Sequence, residues 1–277
     1  MTDAPKPLMS PPESLGQAPG RGRLSGRRIL VVGGGQRVFD PATDPIGNGR
    51  AMSLLYAREG AQVAVADANL ASAEDTVRLI QGEGGRAVAV QGDATSEADV
   101  VRVFDEAAAA LGGLDGVVFN VGTFGGTGLR GFDRAEWDRI LAINLTGAML
   151  VGREAVERLP EGGSLVLISS IAGFRPGSRL VVYDASKAAL GGLMRHLALE
   201  GAPRGVRVNI VAPGQVDTPN GRTAGAGRPS RGRGENLPFR RQATAWEIAY
   251  ATLFFMSMES VYVTAQTLGV DSGLMGM

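Results

Sequence analysis

Seven short apolar runs limit what this chain can become: RILVV (28–32), QVAVA (62–66), RAVAV (86–90), GVVF (116–119), SLVLI (164–168), RVNIV (207–211) and QTLGV (266–270). Continuous apolar runs without polar alternation suit strands covered on both faces, hence a mainly parallel sheet. Longer segments of helical periodicity fill the gaps. Several open on capping signals: Ser96 with Asp99, Asp133 with Glu136, and Thr244 with Glu247. The alternation predicts one doubly wound α/β domain over residues 26–277, with no internal repeat and no interdomain linker.

Residues 1–25 are rich in Pro, Gly and Ser and lack an apolar signal-peptide core, which predicts a mobile, disordered tail. No later segment is continuously apolar over about 18 residues, so no membrane span is expected and a cytoplasmic location is the default. A formal net charge of zero gives no overall field toward nucleic acid or anionic membrane. Cysteine is absent and His196 is the only histidine, which excludes disulfides, thiolate or histidine metal sites and cysteine nucleophiles. No G-x-S-x-G elbow supports a serine hydrolase.

Two loops interrupt the rhythm. One joins the first strand to the first helix from Gly33 to Gly49 and is long for such a turn. The other is a substrate-loop insertion at about 214–243. Its segment 222–241 holds six arginines against the single acid Glu235, and reads as a solvated lid or, more sharply, as a cover for an anionic substrate.

Ligands of a doubly wound sheet bind beyond the carboxyl ends of its strands. There, Gly33 ends the first strand and Gly47, Asn48 and Gly49 open the first helix, a pattern that admits a diphosphate to the backbone and the helix N-terminus. Asp67 ends the second strand, where a carboxylate can accept from both ribose hydroxyls and would repel a 2′-phosphate, favouring NAD over NADP. Asp93, with Ala94 beside it, follows the third strand and can receive the adenine amino group.

The chain carries 26 arginines and two lysines, and one of the two, Lys187, stands four residues after Tyr183. On a helix that spacing puts phenol and ammonium on one face. A nearby cation lowers a phenol pKa from about 10, making Tyr183 a usable acid or base. Ser170 leaves the apolar strand SLVLI at the same sheet edge, where its hydroxyl can bond a carbonyl or alkoxide oxygen. Asn144 interrupts a helical apolar pattern and, if buried, needs partners, one use being to hold a water.

Taken in order, the glycine loop, the acidic end of strand two, GDAT (92–95), FNVG (119–122), INLTG (143–147), ISSIAG (168–173), YDASK (183–187), NIVAPGQVDTP (209–219) and TLGVDSG (267–273) resemble the short-chain dehydrogenase/reductase family. The resemblance implies a Rossmann-type fold with a seven-stranded parallel sheet and a homotetramer or homodimer. It implies hydride transfer between nicotinamide and a secondary alcohol or ketone, a cyclic diol or hydroxy acid being candidates. Tyr183 is then the acid/base, Lys187 its activator and ribose ligand, Ser170 the group orienting the reacting oxygen, and Asn144 the holder of a relay water. Asn120 and Gly122 line the adenosine side, while Pro213, Gly214, Val216 and Thr218 grip the carboxamide. The family's G-x-x-x-G-x-G spacing is stretched here by residues of the segment 36–46. The alternatives are a catalytically idle NAD-binding sensor or subunit and a doubly wound methyltransferase. Phe124, Ile171, Phe174 and Val182 are expected to line the substrate pocket.

Overall fold

Seven parallel strands lie in the order β3-β2-β1-β4-β5-β6-β9 in a computed structural model that describes residues 10–225, 234 and 236–277. They are β1 (Arg28–Val32), β2 (Gln62–Asp67), β3 (Ala87–Gln91), β4 (Gly116–Phe119), β5 (Ser164–Ile168), β6 (Arg207–Pro213) and β9 (Thr267–Val270). Each coincides with one of the seven apolar runs. The order turns at β1, whose neighbours are β2 and β4, so the switch point opens beyond Val32 and Phe119. Strands β2 and β6 run on to Asp67 and Pro213, placing both at the sheet's carboxyl edge.

Side chains alternate strictly across the sheet. Ile29, Val31, Val63 and Val65 face a core closed by α1 (Asn48–Arg58), α2 (Leu70–Gly82) and α8 (Ala245–Met256). Leu30, Val32, Ala64 and Ala66 face the opposite core under α3 (Glu97–Leu111), α5 (Gly147–Arg158) and α6 (Val181–Gly201). Because both faces are covered, the strands have no polar side, which is why the runs are unbroken. The caps are as the sequence predicts: Ser96 accepts from the Asp99 amide, Asp133 does the same for Glu136 in α4 (Arg134–Leu141), and Thr244 and Glu247 form a reciprocal box.

Beyond β6 the chain forms β7 (Val216–Asp217), α7 (Pro219–Gly225) and β8 (Ala243–Thr244). Strands β7 and β8 pair in parallel and close the base of the excursion. Of the loop arginines, Arg222 pairs with Asp217 and Arg241 with Glu247. Arg228, Arg231, Arg233 and Glu235 lie outside the described residues, and with them much of the segment expected to cover an anion. No helix among the described residues is long and apolar enough to cross a membrane.

The expectation of a mobile tail is overturned for residues 10–25. Pro12–Leu15 form a 3₁₀ turn, Leu24 is fully buried in the α1/α8 core, and Glu13 and Ser14 are buried with it. The cause is Glu59 at the end of α1, whose buried carboxylate accepts from the amides of Arg21 and Arg23 and from the Arg23 guanidinium. A buried carboxylate needs such partners, and a segment's composition does not reveal that it supplies them. Residues 1–9 lie outside the described ones. Leu24→Ala should lower unfolding free energy by about 2–5 kcal/mol, as for other buried leucines. Urea unfolding would measure it, and an unchanged midpoint would contradict the packing.

Candidate active site

The first turn of α1 meets the end of β1 backbone to backbone. A Cβ on Gly49 would sit 2.0 Å from the Gly33 carbonyl oxygen and 2.8 Å from Asn120 Nδ2, so no larger residue fits. Asn120 locks the junction by donating to that carbonyl at 2.8 Å. Gly47 is the N-cap of α1, and no side chain caps this helix. Its first amides are therefore available to a ligand, and the N-terminal dipole favours an anion there. Gly33 itself has a φ of 81°, which an L side chain rarely adopts.

A cleft of about 1760 Å³ runs along the carboxyl edge from this junction in both directions. Toward β2 it is lined by Asp67, whose carboxylate accepts from the amides of Gly35 (3.1 Å) and Asn69 (3.0 Å). The helix that follows is capped by Asn69 rather than by Asp67. Asp93 sits in a turn, accepting from Thr95, with Ala94 buried next to it, and both line the cleft. Toward β6 the lining is Pro213, Gly214, Val216 and Thr218, with Thr218 Oγ1 accepting from the Gly221 amide.

Between these ends stand Ser170, Tyr183 and Lys187, together with Gly122. Ser170 leaves β5 and caps the short turn Ile171–Gly173 by accepting from the Ala172 amide at 3.2 Å. That turn lies directly on α6, since a Cβ on Gly173 would come within 2.7 Å of the Lys187 carbonyl carbon. Tyr183 and Lys187 occupy successive turns at the start of α6. The lysine is 3 % exposed, donates to the Ile168 carbonyl at 3.0 Å and lies 5.7 Å from the centre of the tyrosine ring. Burial pushes its pKa down from the usual lysine value to about 8. A hydroxyl, a phenol and a compact cation thus line one stretch of the cleft.

A family model described as "Enoyl-(Acyl carrier protein) reductase" matches residues 42–275. Glucose 1-dehydrogenase of Gluconobacter oxydans is 36% identical over 93% of this chain and 95% of its own. The chain belongs to the short-chain dehydrogenase/reductase family. Another member, the cis-4-hydroxycyclohexanecarboxylate dehydrogenase of Sinomonas cyclohexanicum, is 36% identical over 82% of this chain and 92% of its own. A short-chain dehydrogenase from Burkholderia cenocepacia solved in complex with NADP superposes with a TM-score of 0.80 at 31% identity, covering 90% of this chain and 98% of that one. The protein is accordingly an NAD(P)-dependent oxidoreductase acting on CH–OH donors.

Three residues depart from expectation within this family frame. Asn144 does not line the cleft: it is fully buried in the π-helical turn Ala142–Thr146. Its amide donates to the Thr123 carbonyl and Ser186 Oγ while its oxygen accepts from the Thr123 amide, so it has no N–H left to offer a water. Val182 is buried in place of lining the pocket, and Phe174 points to solvent. Phe124 and Ile171 line it as expected.

Sequence reasoning missed Gln215 and Asn220, which line the β6 end and carry buried side-chain oxygens without partners among the described residues. Asn48 carries another at the α1 terminus. Orphaned acceptors of this kind suit a ligand that brings amide or hydroxyl donors, so the cleft fits a nicotinamide dinucleotide. Only their place in the turns after β6 and β1 could have flagged them.

Because the folded pKa of Lys187 lies below its unfolded one, the ammonium costs stability below pH 8, and the cost vanishes as pH rises toward 10.5. Lys187→Met should thus be more stable than the wild type at neutral pH by up to about 3 kcal/mol. The gap should close across that window in urea unfolding at successive pH values; a gap independent of pH would contradict the burial.

Proposed function

We propose that this protein interconverts a small secondary alcohol and its ketone, with NAD as the preferred dinucleotide and Tyr183 as acid/base. The observation that carries the reading is that Ser170, Tyr183 and Lys187 line one cleft, with the Lys187 ammonium beside the Tyr183 ring. When bound, the dinucleotide supplies hydride acceptance or donation. Tyr183 takes the proton from the substrate hydroxyl or returns it to the carbonyl oxygen. The Lys187 ammonium, fixed by the Ile168 carbonyl, stabilises tyrosinate through its charge and has a further N–H for a ribose hydroxyl. Ser170 uses its oxygen to accept from Ala172, which leaves its own proton to donate to the reacting oxygen. Asn144 serves as a positioning residue, clamping Thr123 against Ser186 behind the reacting groups. A relay water there would have only the remaining lone pair of its Oδ1.

On the adenosine side, Gly33, Gly47, Asn48, Gly49, Asn120 and Gly122 would hold the diphosphate and ribose, with Asp93 and Ala94 at the adenine. Pro213, Gly214, Val216 and Thr218 would hold the carboxamide. Asp67 favours NAD, since its half-buried carboxylate would face a 2′-phosphate as a like charge. A second reading, NADP, has its own support in Arg37, which lines the same cleft. At the substrate end Arg175 and Arg179 line the cleft and no carboxylate does among the described residues, which favours a hydroxy acid over a neutral diol.

The end of α8 and the edge strand β9 leave Phe254, Met258, Val261, Tyr262 and Leu268 exposed. A second copy covering them fits a homodimer or homotetramer. A cytoplasmic setting, where nicotinamide dinucleotides are available, fits the same reading.

Replacing Tyr183 with Phe should cut turnover about 10²–10⁴-fold while leaving dinucleotide affinity within about threefold. Steady-state rates on hydroxy acids and cyclic alcohols, with NADH binding followed by fluorescence, make the comparison. Undiminished turnover would remove Tyr183 from the chemistry.

A further inference from the structure

The segment that stretches the glycine loop is an ordered strap added to it. Its ends meet: the Gly47 amide donates to Gln36 Oε1 at 2.8 Å, and Gln36 Nε2 donates to the Pro45 carbonyl at 3.3 Å. Residues 37–46 therefore leave the loop and return to it at one point, and without them Gly33, Gly47 and Gly49 would regain the G-x-x-x-G-x-G spacing. Inside the strap, Asp44 accepts from the amides of Phe39 and Asp40, while Asp40 accepts from the Ala42 amide and the Thr43 hydroxyl. Such side-chain-to-backbone bonds fix a turn without a hydrophobic core of its own.

Both flanks of the strap are tied to the walls of the cleft. On the β2 side the Gln36 amide donates to Ser72 Oγ at 2.6 Å, in the first turn of α2. On the β6 side Arg222 of α7 donates to the Thr43 carbonyl at 2.6 Å while its other nitrogens grip Asp217 at 2.7 and 2.9 Å. The strap thus reaches from the Asp67 end to the Thr218 end of the cleft. Arg37, Val38 and Phe39 line the cleft from it, and Val38 and Phe39 are 49% and 54% exposed. Two exposed apolar side chains and a cation on a cleft wall match the apolar faces and the diphosphate of a dinucleotide.

Building on the reading of the cleft as a dinucleotide site, we infer that residues 37–46 form an added outer wall of that site. Arg37, Val38 and Phe39 close against the bound cofactor, and Arg222 anchors the wall to the substrate-side helix. The glycine junction offers a diphosphate only backbone amides, and Arg37 adds a side-chain charge to them. The effect falls on release, because a wall tied at both flanks must open before the cofactor leaves.

The test is stopped-flow displacement of NADH from the full-length protein by excess NAD, with NADPH run in parallel. Val38→Ser combined with Phe39→Ser, and deletion of 37–46, should each speed dissociation by about tenfold or more, with association changed far less. Arg222→Gln should speed it by a smaller factor. Circular dichroism checks that the deletion variant folds, and the double serine variant carries the test if it does not. Wild-type release rates in the serine variant would overturn the inference while leaving the dehydrogenase reading intact. A wild-type protein that binds neither NADH nor NADPH would overturn both.

Discussion

The contact on which the rest of the site depends is the one between the start of α1 and the end of β1. A Cβ on Gly49 would fall 2.0 Å from the Gly33 carbonyl oxygen, so the helix axis can aim at the switch point only because that atom is missing. This approach leaves the uncapped amides of α1 facing the cleft and brings Asn120 close enough to bond Gly33. The parallel sheet then delivers Asp67 to one side and Pro213 to the other, because parallel strands all end at the same edge.

The middle of the cleft carries a different physical device, a buried cation. Lys187 is held at the Ile168 carbonyl in a position with almost no solvent, beside the tyrosine ring. Desolvation lowers its pKa from the usual lysine value to about 8. A guanidinium is a broad rigid fork, whereas the ammonium is a compact point charge suited to a nearly fully buried position. In a chain with 26 arginines, Lys187 is one of two lysines.

What the sequence made legible was whatever follows from periodicity and edge position. The seven apolar runs became the seven strands, and Ser96, Asp133 and Thr244 cap the helices they were expected to open. Ser170, Tyr183, Lys187 and Asp67 all line one cleft. What stayed hidden depends on contacts between distant segments. The partners of Glu59 lie some 36 and 38 residues upstream in a stretch whose composition suggests disorder. Asn144 is consumed by Thr123 and Ser186, a pairing that spacing does not reveal. The segment 36–46 showed in the sequence only as a stretch of the glycine spacing, because its ties to Ser72 and Arg222 are also long-range.

If the cleft takes a nicotinamide dinucleotide, Asp67 should select the form without a 2′-phosphate. Thermal unfolding of the purified protein with excess NADH and, separately, excess NADPH tests it most directly. A ligand at a hundred times its dissociation constant stabilises by roughly 2.7 kcal/mol. The melting temperature should rise clearly with NADH and much less with NADPH. A shift with NADPH alone would contradict the role given to Asp67, and no shift with either would contradict the dinucleotide site itself.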